Sequence, residues 1–270
     1  MGLFLKDFPP DAVLMTDDQP LSRPAATLVV VRDRPALSPE LLMVERSPNM
    51  AFAAGALVFP GGGVEEGDHA LAARVTDVLD VDDAAARIAA IRETIEEAGI
   101  GVGLAGVVDQ PSVLRLRDGL RDGRTLGELL DRHGLALDLG ALIPFARWHP
   151  APFDRARRVF DTRFYLARAP KGQVASVDTT ENVRLFWSSA ADTLALCDAG
   201  HGHVIYPTRR NLERLALSPS FEALATHAAS FPVDMIRPWR EMRDGTPHLC
   251  IPDHLGYPVT SEPMEQVRRG

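Results

Sequence analysis

Residues 59–68 read Phe-Pro-Gly-Gly-Gly-Val-Glu-Glu-Gly-Asp, and residues 92–100 read Arg-Glu-Thr-Ile-Glu-Glu-Ala-Gly-Ile. The second stretch closes a helix predicted over 83–98. Asp82 caps its start, Asp83 suits the positive end of the helix dipole, and Gly99 stands where a left-handed C-cap belongs. Ala84, Ile88, Ile91, Ile95 and Ala98 fall on one face at helical spacing. Glu93, Glu96 and Glu97, at i, i+3 and i+4, share the opposite side. Three crowded carboxylates repel one another unless cations neutralise them, and hard oxygen donors suit Mg²⁺ or Mn²⁺. Arg92, one turn before Glu96, can orient a carboxylate by a bidentate contact. Alone, such a face reads as solvated acidic surface. The glycine run changes the weighting, because glycine lets a backbone carbonyl or amide approach a metal or phosphate closely.

Outward from this pair of segments, the chain mixes strands and helices. The β-branched run 26–32 reads as a buried strand, 40–46 as its partner, and 56–59 as a short third strand stopped by Pro60. Downstream, 112–135 reads as helical and more polar. Further strands are expected over 145–149, 158–168 and 182–188. Helices follow over about 208–216 and from Ser218, with Pro219 at the first helical position. The tail 231–270 carries six prolines and no strong periodicity. Without regular βαβ alternation, the pattern favours α+β or a sandwich.

The composition narrows the class. The 270 residues carry 29 basic and 37 acidic side chains, a net charge of −8, which excludes a generally basic nucleic-acid coat. Two cysteines, Cys197 and Cys250, are too few for a disulfide framework or a Cys-rich zinc site and point to a reducing, cytoplasmic setting. No apolar run reaches the length of about 18 residues that spans a bilayer. Pro9 and Pro10 stand where a signal peptide would continue its apolar region. His201 and His203 lack the neighbouring ligands of a metal pair.

Taken together, the two segments resemble the Nudix hydrolase signature, G-x5-E-x7-R-E-U-x-E-E-x-G-U with U aliphatic. The second half matches from Arg92 to Ile100, with Thr94 at one aliphatic position. The first half matches from Gly62, with Asp68 where Glu is usual. Residues 69–91 number 23 rather than seven, so sixteen extra residues are expected to loop out before the helix. This interruption, with Arg147-Trp148-His149-Pro150-Ala151-Pro152, Arg157–Phe164 and Pro207-Thr208-Arg209-Arg210-Asn211-Leu212, resembles the acyl-coenzyme A diphosphatase branch of that superfamily.

The resemblance implies an α+β fold, a Nudix α/β/α sandwich with a mixed sheet, formed by one domain over 1–270. Its core would span about 24–190, with helical insertions at about 69–81 and 105–140 and a C-terminal helical extension over about 205–270. It implies a divalent-metal-dependent diphosphatase acting on a nucleoside diphosphate linked to another moiety. The first-choice substrate is coenzyme A or acyl-coenzyme A, giving 3′,5′-ADP and (acyl-)4′-phosphopantetheine. ADP-ribose, NADH, dinucleotides or capped RNA are alternative substrates, and a non-catalytic nucleotide sensor is the alternative of another class. Mg²⁺ or Mn²⁺ would be held by Glu93, Glu96, Glu97 and the main-chain carbonyl of Gly61 or Gly62, with Arg92 holding the glutamates. Glu181 is the candidate for a later metal ligand or base. Arg46, Arg157 and Arg163, with Gly61 and Gly62, are the candidate substrate contacts, and Arg155, Arg158, Arg209 and Arg210 are further candidate anion binders. The expected partner is a small nucleotide rather than a membrane or nucleic acid, and a homodimer is left open.

Overall fold

The β-branched run at 26–32 is the middle of a 12-residue strand, β1 (Arg23–Arg34). Its side chains are buried on both sides, Ala26, Leu28 and Val30 one way and Val29 and Val31 the other, as a central strand requires. The computed structural model describes residues 22–48, 53–76, 78–151, 159–177 and 182–267. Within it, β1 pairs antiparallel with β2 (Leu37–Arg46) and with β4 (Gly61–Gly63), and parallel with β6 (Phe160–Arg168). On one flank β2 carries β3 (Leu57–Val58) and β7 (Asn182–Ser189). On the other, β6 carries β5 (Ile143–Trp148), which pairs in parallel with β8 (Met235–Ile236). The result is an eight-stranded mixed sheet.

Each face of the sheet buries its own apolar cluster. On one, α2 (Val81–Ala98) lays Ile88, Ile91 and Ile95 against Ala26, Leu28 and Val30. The helices α1 (Glu66–Val75), α3 (Gln110–Arg121) and α4 (Leu126–His133) extend that cluster with Leu71, Leu116 and Leu129. On the other face, α5 (Ala190–Asp198), α6 (Tyr206–Leu215) and α7 (Phe221–Ala229) pack Ala190, Leu212 and Leu224 against Val29, Val31 and Met43. Helices on both faces of one mixed sheet make the expected α/β/α sandwich.

Local chemistry moves several boundaries. The cap of α2 is Asp80, whose side chain accepts from the Asp82 and Asp83 amides, so the helix starts at Val81 rather than 83. The sixteen extra residues before the signature's second half do not loop out. They form most of α1 and lengthen the start of α2, because Leu71, Ala72, Ala84 and Ala85 supply an apolar face that only helix can bury. The helix expected over 112–135 is two helices, broken at Gly123 with its φ of 81° and restarted by a Thr125–Glu128 capping box. Ser220 caps α7 instead of Ser218, its hydroxyl taking the Ala223 amide. The C-terminal extension is helical over α6 and α7. Beyond them it adds a three-stranded antiparallel sheet of β9 (Trp239–Arg243), β10 (Thr246–Cys250) and β11 (Ser261–Pro263), then a short α8 (Met264–Val267). Asp244 and Gly245, both at positive φ, turn β9 into β10. Among the described residues no helix is long and apolar enough to cross a membrane.

Candidate active site

The glycine run pairs with β1 through Ala25–Gly63, Ala26–Gly62 and Thr27–Gly61, which brings it beside the C-terminal half of α2. The approach leaves no space for side chains. A Cβ on Gly61 would lie 2.4 Å from the Ala26 carbonyl oxygen, and one on Gly62 would lie 2.3 Å from a carboxylate oxygen of Glu93. Gly61 therefore requires glycine by contact with the backbone of β1, whereas at Gly62 a side chain would displace the Glu93 carboxylate.

Arg92 is the hub of the site. It is 5% exposed, and every donor group is engaged. Nε and Nη2 form a fork on Asp68, at 3.1 Å to Oδ1 and 3.0 Å to Oδ2. Nη2 also donates to the Gly63 carbonyl at 2.8 Å, and Nη1 donates to Glu93 at 2.7 Å and Glu96 at 3.2 Å. Burial works against the guanidinium charge. The hydrogen bond that Asp68 accepts and the charges of Glu93, Asp68 and Glu65 outweigh it and raise the affinity for the proton. Asp68 is itself 2% exposed and takes the Glu65 amide at 2.9 Å, closing a capping box at the start of α1. The first and second halves of the signature thus meet through Asp68 and Arg92, although 24 residues separate them.

The three glutamates differ in their surroundings. Glu97 turns inward, accepting from the Gly61 amide at 3.0 Å and from Asn182 Nδ2 at 3.2 Å. Burial, then the charge of Glu93, push its carboxyl up to about 8 against those hydrogen bonds. Burial also pushes Glu93 up to about 7, with Arg92 opposing and Glu96 reinforcing the shift. Glu96, the most exposed of the three, is raised by burial with Arg92 opposing. As they stand, no three His, Cys, Asp or Glu side chains among the described residues converge on a point that would hold a metal ion. Glu93 and Glu96 lean toward Arg92, while Glu97 leans toward Gly61. The donor set nonetheless fits a hard divalent cation: three carboxylates on one helix face, their proton affinities lifted by burial, beside a backbone that no Cβ could enter.

The other predicted contacts divide. Arg46, at the end of β2, lies near enough to Glu97 to lower its proton affinity, and its buried Nε has no hydrogen-bond partner among the described residues. Arg163 faces the opposite end of α2, 3.5 Å from Asp83, which also accepts from Tyr165 and Arg87. Asp83 and Glu97 are fourteen residues apart, about 21 Å along a helix axis. Arg163 is therefore not gathered around the glutamates. Glu181, Arg155, Arg157 and Arg158 lie outside the described residues. Arg209 and Arg210 belong to α6 on the other face of the sheet, paired with Asp198 and Glu213. His149 Nδ1 contacts the neighbouring Pro150 carbonyl. Trp148 is buried, with its indole N–H shared between Asn211 and Tyr257. Cys197 and Cys250 are both free thiols.

Two contributors escaped the sequence reading. Asn182 opens β7 and reaches Glu97 across 85 residues. The Gly63 carbonyl receives Arg92 where a metal or phosphate contact was expected of its neighbours. The only local signal for Asn182 is its place next to the candidate Glu181.

No family model matches the chain. The fold is shared with a solved structure. The chain is 30% identical to the Nudix hydrolase from Alicyclobacillus acidocaldarius, with a TM-score of 0.66, over 79% of this chain and 97% of that one. It belongs to the Nudix hydrolase family, enzymes that act on diphosphate bonds and generally use divalent metals. Among curated proteins it is similar to human acyl-coenzyme A diphosphatase NUDT19, with 26% identity over 301 aligned positions, 91% of this chain and 80% of that protein.

Proposed function

We propose that this chain is a Mg²⁺- or Mn²⁺-dependent diphosphatase that hydrolyses coenzyme A or acyl-coenzyme A to 3′,5′-ADP and (acyl-)4′-phosphopantetheine. The observation that carries the substrate is the similarity to human acyl-coenzyme A diphosphatase along 91% of the chain. The carboxylate face of α2 supports the metal dependence. Residues 1–270 are taken as one Nudix domain acting in the cytoplasm, in keeping with its two free thiols.

In this reading Glu93, Glu96, Glu97 and the Gly61 carbonyl would hold the cation, which when bound would supply charge neutralisation at the diphosphate and make water a better nucleophile. Arg92 fixes Glu93 and Glu96 by direct hydrogen bonds and is itself fixed by Asp68. Asn182 and the Gly61 amide fix both oxygens of Glu97. Arg46, whose Nε has no partner among the described residues, offers an N–H beside that carboxylate for a phosphate oxygen. Hydrolysis forms a bond from water oxygen to one phosphorus and breaks that phosphorus's bond to the bridging oxygen, which leaves on the second phosphate. The water's proton passes to a carboxylate of the cluster or to Glu181. Arg163 and Arg157 are assigned to the distal parts of the substrate.

The test is turnover of a mixed panel by the purified chain with Mg²⁺ or Mn²⁺, read by mass spectrometry. The panel holds coenzyme A, short- and long-chain acyl-coenzyme A, NADH, ADP-ribose, dinucleoside polyphosphates and capped RNA. Metal-dependent release of 3′,5′-ADP is the expected result. Preferred turnover of another member would keep the chemistry and overturn the substrate. No turnover of any member by folded, metal-supplemented protein would overturn the enzyme and favour a sensor.

A further inference from the structure

An α-helix leaves its last four carbonyls without partners inside the helix. In α2 all four are taken, and three of them by groups from outside the helix. The Ile95 carbonyl accepts the Gly99 amide at 3.0 Å, in the left-handed cap. The Glu96 carbonyl accepts Arg117 Nε at 2.8 Å, and the Glu97 carbonyl accepts Arg117 Nη2 at 3.2 Å. The Ala98 carbonyl accepts the Ser176 amide at 2.9 Å, and Arg117 Nη1 donates to the Ser176 hydroxyl at 2.8 Å. One guanidinium therefore grips the main chain of two of the three residues whose carboxylates face the site, and also Ser176.

Arg117 belongs to α3, inside the insertion at 105–140, and is 4% exposed. Gly99 makes its approach feasible. A Cβ there would stand 3.1 Å from Arg117 Nη1 and 3.1 Å from the Ser176 hydroxyl, in a backbone conformation of φ 64° that already disfavours one. The cation also sits at the negative end of the helix dipole, where a positive charge is favoured. Lysine could not reproduce the grip, because a single ammonium lacks the planar fork that meets two carbonyls and a hydroxyl at once.

We propose that Arg117 is a positioning residue for the hydrolytic reaction: it fixes the last turn of α2, and with it Glu96 and Glu97, against Ser176. The insertion is in this account part of the catalytic apparatus rather than a surface elaboration. The proposal rests on the reading of the α2 carboxylates as the reaction centre.

The experiment compares wild type, Arg117→Ala and Arg117→Lys as full chains, with Mn²⁺ and acyl-coenzyme A, alongside hydrogen exchange of each folded variant. Arg117→Ala is expected to lower kcat about 10- to 100-fold, the scale of lost outer-layer support at a metal site, with KM little changed. Added guanidinium at non-denaturing concentration should restore part of that kcat, whereas urea at the same concentration should not. Arg117→Lys should recover less than guanidinium does. Exchange should speed up around 95–101 and 173–177 and nowhere else. Unchanged kcat in Arg117→Ala would overturn the proposal. So would a loss of kcat that follows only the folded fraction and ignores guanidinium. If the wild type turns over no diphosphate, the proposed function falls and exchange alone decides. Acceleration confined to those two segments would then support the clamp, and uniform or unchanged exchange would overturn it.

Discussion

Two guanidinium groups are buried to nearly the same depth, one on each face of the sheet, in opposite surroundings. Arg92 is 5% exposed and Arg214 is 1% exposed. Arg92 is ringed by Asp68, Glu93 and Glu96. Arg214, in α6, forms no ion pair with a carboxylate among the described residues. It donates to the Phe145 carbonyl at 2.9 Å and to His227 Nε2 at 3.2 Å, and lies against the rings of Phe145, Tyr257 and Phe231. Burial lowers the proton affinity of Arg214, whereas the acids around Arg92 reverse the effect of burial there. The difference separates two uses of a buried cation. On the α2 face it organises an excess of negative charge that a diphosphate-cleaving site with metal would need. On the α6 face it fills a core, its charge spread over rings and carbonyls.

The largest expected effect breaks the first side of this comparison. Glu97→Gln keeps the shape of Glu97 and removes its charge, so acyl-coenzyme A turnover should fall about 10²- to 10⁴-fold. Thermal stability should hold or rise, because one buried like charge has gone. Product release and a melting curve on the same sample measure both. Next, Arg92→Met strips the cation from a buried set of acids, which should cost about 3–5 kcal/mol in urea unfolding, together with activity. The matching Arg214→Met should cost less, about 1–3 kcal/mol for a buried carbonyl left unmet, and should leave turnover near wild type. Equal losses in the two variants would dissolve the contrast.

The smallest expected effect sharpens it by pH. Arg214 donates to His227 Nε2, which requires that nitrogen to be unprotonated. Burial, then the Arg214 charge, hold the His227 pKa below its ordinary 6.5. A base with a depressed folded pKa contributes stability that is complete above about 6.5 and is lost as pH falls toward the folded value. Wild type should therefore lose melting temperature on acidification in that window, and His227→Gln, whose amide oxygen still accepts, should lose less. Identical slopes would count against this contact.

The legible parts of the molecule were those encoded by spacing along one segment. The isoleucine face of α2 and the glutamates opposite follow from a period of 3.6, and the β1 run follows from its β-branched residues. The close approach of the glycine run was foreseeable from its composition, and at Gly61 a Cβ would collide with the β1 backbone. What spacing could not carry were partners brought together by tertiary packing. Asp68 meets Arg92 across an insertion that hides the signature's spacing. Arg117 reaches the α2 carbonyls from twenty residues on, and Asn182 reaches Glu97 from 85. The strands β9–β11 were also hidden, because prolines at 238, 247, 252, 258 and 263 break any alternation, and two of them, Pro247 and Pro263, sit within the strands themselves. Arg163 shows the same limit from the other side. Its strand position is as expected, but the length of α2 carries Asp83, not the glutamates, to its side chain.

The central claim is that the carboxylate face of α2 is the centre of a metal-dependent hydrolysis. Its most direct test is the rate of 3′,5′-ADP release from acyl-coenzyme A by wild type and by Glu97→Gln, each with and without Mn²⁺. The account predicts fast release only from wild type with metal. Equal release by the two proteins, or release by wild type that metal removal leaves unchanged, would contradict it.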